Sequence, residues 1–315
     1  MRGPRAATPV ACIGHVTLED VVLSSGRTAM GQIGGAAVYA AAGARVAGAQ
    51  ASLVAKTGEG FPDRLRAKLA EFGVRMVDGG GEPGHLAQWV LYEADGSRQF
   101  VLHAHSAGHL GSAPTPEGVR VESLPRVVHL APMPVAVQAA WLDALHAASG
   151  QVTLDTADVF VRSSAPELLE LLPRLTAFLP SELEARMLHG SSDMARVARD
   201  LLALGPAIVA VKLGAEGSLV AVPGEEFHVP ALPVDVVDVT GAGDAYCGGF
   251  AAGLSRAASA LQTARIATTA AAVIVQHFGA LSPLPEGRSR FLELLRMEDG
   301  NVKNPARGPR ERARA

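Results

Sequence analysis

Short apolar runs recur along the chain, spaced widely enough to leave a helix between them. VACIG (10–14), ASLVAK (51–56), RVVHL (126–130), VTLD (152–155), TAFL (176–179) and AIVAVK (207–212) are continuous blocks. Continuous blocks fit strands covered on both faces, as in a parallel sheet. Between or after them, helical patterns begin near Asp63, Pro134, Pro166, Ser181, Asp193, Gly243, Ala257 and Gly287, and VQAAWLDALHAA (137–148) has helical apolar spacing. The alternation predicts βαβ units: an α/β fold whose central sheet is mostly parallel, with helices on both faces. Two stretches break it. DVVLSSGRTAMGQI (20–33) reads as a strand, a turn and a loop, and LAQWVLYEADGSRQFVLH (86–103) reads as two strands joined by ADGS. Together they predict a small β lid over about 15–33 and 85–105. Its Trp89, Leu91, Phe100 and Leu102 need cover from a substrate, the main domain or a second subunit, so a homodimer through the lid is a candidate assembly. MEDGNVKNPARGPRERARA (297–315) is polar, basic and aperiodic, and is expected to be a disordered, solvated tail. With a flexible start at 1–9, this leaves one α/β domain over 10–296.

Composition narrows the partners. The 315 residues are 48% hydrophobic and 19% charged, enough for a large core. A formal net charge of −3 argues against nucleic acid and anionic membranes as partners. No apolar run reaches the ~18 residues that span a bilayer, and no apolar signal core follows MRGPRAATPV. The expectation is a soluble, cytoplasmic protein. Cys12 and Cys247 lie among apolar or small residues, as buried thiols of a reducing compartment do; the sequence leaves a disulfide between them open.

The chemistry concentrates in VDVTGAGDAYCGGFAAGL (237–254). Glycine within a helix costs roughly 1 kcal/mol against alanine, so something requires the bare backbone. TGAGD is a tight turn, and the following residues can be helical. Such an element aims backbone N–H groups and the positive end of a helix dipole at one spot, an anion site. A carboxylate there repels an anion unless it has other work. For Asp244 that work would be taking a proton from an attacking hydroxyl, as in phosphoryl transfer. On glycines alone, a plain helix start capped by Asp244 is the favoured explanation of the stretch.

The run Asp238, Val239, Thr240, Gly241, Ala242, Gly243, Asp244 closely resembles the D-T-x-G-A-G-D signature of the ribokinase-like (PfkB) carbohydrate kinases, with valine at the usual first threonine. The resemblance extends over most of 10–286 and implies the three-layer ribokinase-like fold. It implies Asp244 as catalytic base, also touching the substrate, and Gly241, Ala242 and Gly243 as the anion hole; Thr240 borders the nucleotide, and Asp238 is a candidate ligand for a monovalent cation such as K⁺. GQIGGAAVYAAAGARVAG (31–48) resembles the diglycine that opens a helix against the substrate: Gly34 and Gly35 match, and Tyr39 stands where many members have asparagine. CIGHVTLEDVV (12–22) resembles the first strand, placing Glu19 at the substrate-binding aspartate with Thr17 on the same face. FLPSELEARML (178–188) resembles N-x-x-E, with Glu184 as a water-mediated Mg²⁺ contact; Ser181 and Glu184 also spell a capping box. In VKLGAEGSLVAV (211–222), Gly214 and Gly217 fit close approach to the nucleotide, and Lys212 is either a phosphate contact or a solvated strand end. AAAVIVQHFGALSPLP (270–285) resembles the adenine-side helix and loop, with Gly279 and Ala280 matching.

The histidines of LHAHSAGHL have a spacing that suggests metal, but no Cys/His cluster completes a zinc site. In the resembling family this stretch borders the substrate, so His103 and His105 are substrate contacts by resemblance. No G-x-x-x-x-G-K-[ST] P-loop is present. The implied activity is transfer of the γ-phosphoryl group of ATP, with Mg²⁺, to a hydroxyl of a sugar or inositol-like cyclitol, or of a nucleoside. Tyr39, Trp89 and Phe100 are the aromatic candidates for stacking a nucleoside base. Another class stays open, a catalytically silent sensor of a sugar or nucleotide. A dehydrogenase is disfavoured, because the glycine-rich element lies far from the first strand.

Overall fold

The structure, a computed structural model, describes residues 9–80, 84–94, 98–146, 150–281 and 284–302. The first half runs β1 (Val10–Ile13), β2 (Thr17–Val22), β3 (Thr28–Gly34), α1 (Ala36–Val46), β4 (Ala51–Ala55), α2 (Asp63–Glu71), β5 (Val74–Asp78), β6 (Leu86–Tyr92), β7 (Arg98–Leu102) and α3 (Gly108–Ser112). Then come β8 (Val127–Leu130), α4 (Val135–His146), β9 (Gln151–Leu154), α5 (Asp158–Leu171), β10 (Ala177–Phe178), α6 (Glu182–His189), α7 (Met194–Ala203) and β11 (Ile208–Lys212). The chain closes with β12 (Ser218–Val222), β13 (Glu225–Val229), α8 (Ala242–Ser255), α9 (Ala260–Ile274) and α10 (Leu284–Val302).

The apolar blocks form the middle of a nine-stranded sheet ordered β13-β12-β11-β10-β9-β8-β1-β4-β5. Every pairing from β11 to β5 is parallel, and β12 and β13 join antiparallel at one edge. Side chains alternate between two cores, as a sheet covered on both faces demands. Val10 and Cys12 enter one core with α1, α2, α8, α9 and α10; Ala11 and Ile13 enter the other with α4, α5, α6 and α7. A second, four-stranded sheet, β3-β2-β6-β7, projects from the carboxyl end of β1. Cys12 and Cys247 are buried and free. Among the described residues no helix is long and apolar enough to cross a membrane.

Several elements depart from expectation. Residues 28–34, expected as loop, form β3, antiparallel to β2 with an irregularity between Glu19 and Val21. β5 and β13 were not expected: both are edge strands whose mixed polarity hides them. Of the ADGS turn, Asp95, Gly96 and Ser97 lie outside the described residues; β6 and β7 pair antiparallel on either side. α5 starts at Asp158, and Pro166 stands inside it; the helix loses regular geometry at Ser164 (φ −151°, ψ 38°), where the missing proline N–H and its ring disturb the preceding turn. α9 starts after Ser259, whose capping box with Gln262 sets the boundary. α10 continues to Val302, so the chain is helical past 296, where disorder was expected. Residues 1–8 and 303–315 lie outside the described residues.

The bare backbone of the glycine-rich helix has a packing cause. α1 and α8 cross so closely that a Cβ on Gly248 would overlap the Ala40 carbonyl, and one on Gly43 would overlap the Ala245 carbonyl. Both helices begin at the carboxyl edge of the main sheet, beneath the small sheet.

Candidate active site

The strands of the main sheet deliver their ends to one edge, where open α/β sheets place their ligands. His15 follows β1, Asp155 follows β9, Ser181 and Glu184 follow β10, and Lys212 ends β11. Gly241 meets them from across the cleft. It is the N-cap of α8 in the left-handed region (φ 72°), and no side chain caps that helix. A Cβ at Gly241 would overlap the Tyr39 ring. The first helical turn therefore starts from a turn that only glycine fits, lying flat on a buried tyrosine.

Two cavities open here. The smaller, about 380 Å³, is almost wholly apolar, with Val236, Val239, Ala272 and Val275 among its walls. The larger, about 660 Å³, is lined by Thr17, Gly35, Asp155, Thr156, Glu184 and Asp244, and by the rings of Phe100, His109 and Phe160. They share Lys212, Gly214 and Gly243. A molecule in each would meet at that border, beside Asp244.

The border is strongly charged. Lys212 Nζ donates to Asp155 Oδ2 at 2.5 Å, with the side chains only 12% and 2% exposed. Burial alone would lower the Lys212 pKa, but the Asp155 carboxylate, with Cys247, Glu184 and Asp244 beyond it, drives it up, so the ammonium stays charged. Burial raises Asp155, and Lys212 opposes the rise. The Cys247 thiol, 3.3 Å from Asp155 Oδ2, is pushed well up by burial and stays protonated. Glu184 is raised by burial and then by Asp155, a setting that a cation would relieve. Its Oε2 accepts from Ser181 N at 2.5 Å, and Ser181 Oγ accepts from Glu184 N at 3.4 Å, so the capping box forms on the cavity wall. Among the described residues no cluster of three or more His, Cys, Asp or Glu could hold a metal by itself. A Mg²⁺ here would draw most of its ligands from water and phosphate oxygens, its usual habit, with Glu184 and Asp155 among the carboxylates that line the cavity.

The remaining expected site residues divide. Gly217 lines the smaller cavity with Lys212 and Gly214, and Ala242 lines it with Gly243. Thr17 and Gly35 line the larger one. Glu19 does not; it is buried beneath, accepting from Thr17 Oγ1 at 2.7 Å and Gln88 Nε2 at 3.1 Å, and a Cβ on Gly34 would overlap its carboxylate. Tyr39 is 4% exposed and supports Gly241 instead of facing the cavity. His103 and His105 lie away from it: His103 Nε2 is 3.5 Å from Asp20 Oδ2, and its ring contacts Trp89 and His105. The alternation of β2 sends Glu19 and Asp20 to opposite sides, and the histidines went with Asp20. Gly279 and Ala280 line neither cavity; Val275, at the end of α9, takes that place. Asp238 Oδ1 accepts from Thr240 N at 2.8 Å and Tyr92 Oη at 3.0 Å, and Tyr92 Oη also bonds Thr240 Oγ1. These contacts tie β6 of the small sheet to the turn before α8. Sequence reasoning missed Asp155, Thr156, His15, His109 and Phe160. For Asp155 a signal existed, a carboxylate closing a buried parallel strand, where such sheets gather their ligands.

Comparison with known proteins establishes the fold and the family. Among solved structures, adenosine kinase from Sinorhizobium meliloti superposes with a TM-score of 0.73 at 22% identity, covering 90% of this chain and 99% of that one. An E. coli protein solved with ATP and Mg²⁺ superposes with a TM-score of 0.72 at 21% identity, covering 91% of this chain and 99% of that one. At these identities the likeness shows the fold. Cytidine kinase from Thermococcus kodakarensis is 32% identical over 278 residues, 85% of this chain and 96% of that protein. The family model described as pfkB family carbohydrate kinase matches residues 7–287. The chain thus belongs to the pfkB family of carbohydrate kinases, phosphotransferases that act on a hydroxyl of a sugar or nucleoside.

Proposed function

We propose that this protein is an ATP-dependent nucleoside kinase. The observation that carries the reading is the pair of cavities meeting at Lys212, Gly214 and Gly243, with the larger one walled by Phe100, His109 and Phe160. Rings on several sides suit a flat base, which stacks on aromatic faces; a sugar or cyclitol alone needs mainly polar partners. The similarity to a cytidine kinase over 96% of that protein supports the same choice over the sugar or inositol-like cyclitol that the sequence put first.

In this reading the adenine of ATP occupies the apolar cavity, and its phosphates reach the border along Gly214 and Gly217. The first-turn amides of α8, from Ala242 to Asp244, receive the transferring group, and charged Lys212 lies at the same border. The acceptor hydroxyl gives its proton to Asp244 as its oxygen bonds the γ-phosphorus; the bond to the β–γ bridging oxygen breaks, and ADP leaves with that electron pair. Mg²⁺, held near Glu184 and Asp155, would neutralise the phosphate oxygens. Thr17, oriented by Glu19, and the Gly35 turn contact the acceptor from below, and the small sheet covers it and keeps water out. Asp238 serves as an anchor for Thr240 and Tyr92, a role that accounts for it without K⁺.

The test is ADP release with a panel of pentoses, hexoses, inositols and ribonucleosides. A ribonucleoside is expected to give kcat/KM at least about 10-fold above any non-nucleoside, the scale of one well-formed pocket contact. A hexose or inositol at the top of the panel would remove the nucleoside assignment.

A further inference from the structure

Two residues that line the larger cavity each carry a buried polar atom without a hydrogen-bond partner among the described residues, His15 Nε2 and Thr156 Oγ1. Buried polar atoms are nearly always satisfied, and each exception calls for a cause. His15 is 6% exposed and sits where β1 enters the site. Its protonation follows from counting hydrogens. Ser112 Oγ has one proton, and the Gly108 carbonyl, 2.6 Å away, takes it. Ser112 Oγ therefore acts as acceptor toward His15 Nδ1 at 3.0 Å, and that nitrogen must carry the hydrogen. Nε2 is left with a lone pair.

The surroundings keep it so. Burial lowers the His15 pKa to about 4, and His109, edge-on with ring centres 5.7 Å apart, pushes the same way. Lys56, whose Nζ is held on the Gly111 carbonyl at 2.8 Å, adds to this. A hydrogen bond to Ser112 pulls the other way and does not outweigh them, and among the described residues no acid joins it. His109 is in turn edge-on to Phe160, so His15 ends a row of rings along the cavity.

We propose that His15 is a specificity-determining residue whose Nε2 accepts a hydrogen bond from an N–H or O–H group of the acceptor. This rests on the larger cavity being the acceptor site of the kinase proposed above. Substrates that bring an amine, a ring N–H or a hydroxyl to this nitrogen complete its bonding. Substrates that bring a carbonyl or a bare ring nitrogen set lone pair against lone pair and are rejected.

The experiment pairs enzyme variants with acceptor analogues. His15→Phe keeps a ring and removes the acceptor atom; His15→Gln restores an acceptor oxygen at similar reach. For the best acceptor, His15→Phe should raise KM about 10- to 100-fold, the effect of an unmade buried hydrogen bond, with kcat and the KM for ATP within about twofold, and His15→Gln should recover most of the loss. Amino/oxo pairs (cytidine and uridine, adenosine and inosine) and 2′- and 3′-deoxy nucleosides then identify the donor: the analogue lacking it should show equal KM in wild type and His15→Phe. An equal penalty for every analogue, or no penalty, would overturn the assignment. In ¹⁵N-histidine-labelled wild-type protein, His15 should show the Nδ1–H tautomer, with an Nε2 resonance that moves when acceptor is added. A resonance that stays put would overturn it without any variant. If only sugars are phosphorylated, the nucleoside reading falls alone, and deoxy sugars carry the same test of His15.

Discussion

At the scale of single residues, Asp244 carries the sharpest expectation. Asp244→Asn should lower kcat about 100-fold or more, the usual worth of a general base, with little change in the KM for ATP; near-normal turnover in steady-state assays would reject its role as base. The buried histidines set a pH dependence. Burial lowers His15 from an ordinary 6.5 to about 4 and His129 to about 3. Between those values and 6.5 the unfolded chain holds protons that the folded chain does not, so stability is full above 6.5 and falls as pH drops. The loss by pH 4 is on the order of 3 kcal/mol for His15 alone. Urea titrations at pH 7.5 and 5 should show the decline, and it should shrink in His129→Asn; a pH-independent midpoint would contradict the buried neutral imidazoles. Asp244, Lys212 and Glu184 could be singled out in the sequence because each stands at a fixed offset in a recognisable run, and all three line the larger cavity. Asp155, which forms the Lys212 ion pair at the border, was passed over although it closes a buried parallel strand, because VTLD belongs to no recognisable motif. Tyr39 and His103 were misplaced for a different reason: facing is decided by which side of an element lies against its neighbour, and spacing within one motif does not say that.

At the scale of elements, legibility followed burial. Strands in the middle of the main sheet are apolar on both faces and were readable as blocks. β5, β13 and β3 are edge or half-covered strands, and their composition resembles loop. Pro166 misled because proline more often starts a helix than interrupts one. The meeting of α1 and α8 yields a second expectation. Gly248→Ala forces a methyl group into the Ala40 carbonyl, and backbone cannot yield as a flexible side chain can. We expect a loss of about 1–3 kcal/mol in denaturant unfolding, together with reduced activity, since both helices start at the site. An alanine variant as stable as the parent would mean that the helices lie further apart.

Across the whole molecule, the two cavities belong to different layers of support. The smaller is walled by α8, α9 and the β11–β12 turn, all within the main domain; the larger takes Phe100 from the small sheet. Phe100 is 55% exposed, with Leu102 on the same face of β7 and Val101 on the other also open. A cluster of hydrogen bonds, that of Tyr92 with Asp238 and Thr240, links the small sheet to the turn before α8. Removing its hydroxyl in Tyr92→Phe should raise ADP release without acceptor while lowering the acceptor-stimulated rate; a ratio of the two rates equal to wild type would count against the link. In the proposed kinase such a tether would make the grip on the donor phosphate answer to the position of the acceptor's cover. That kinase would idle with little waste when its acceptor is scarce, because the phenol bonded to Asp238 and Thr240 would join the roof over the acceptor to the seat of the group to be transferred.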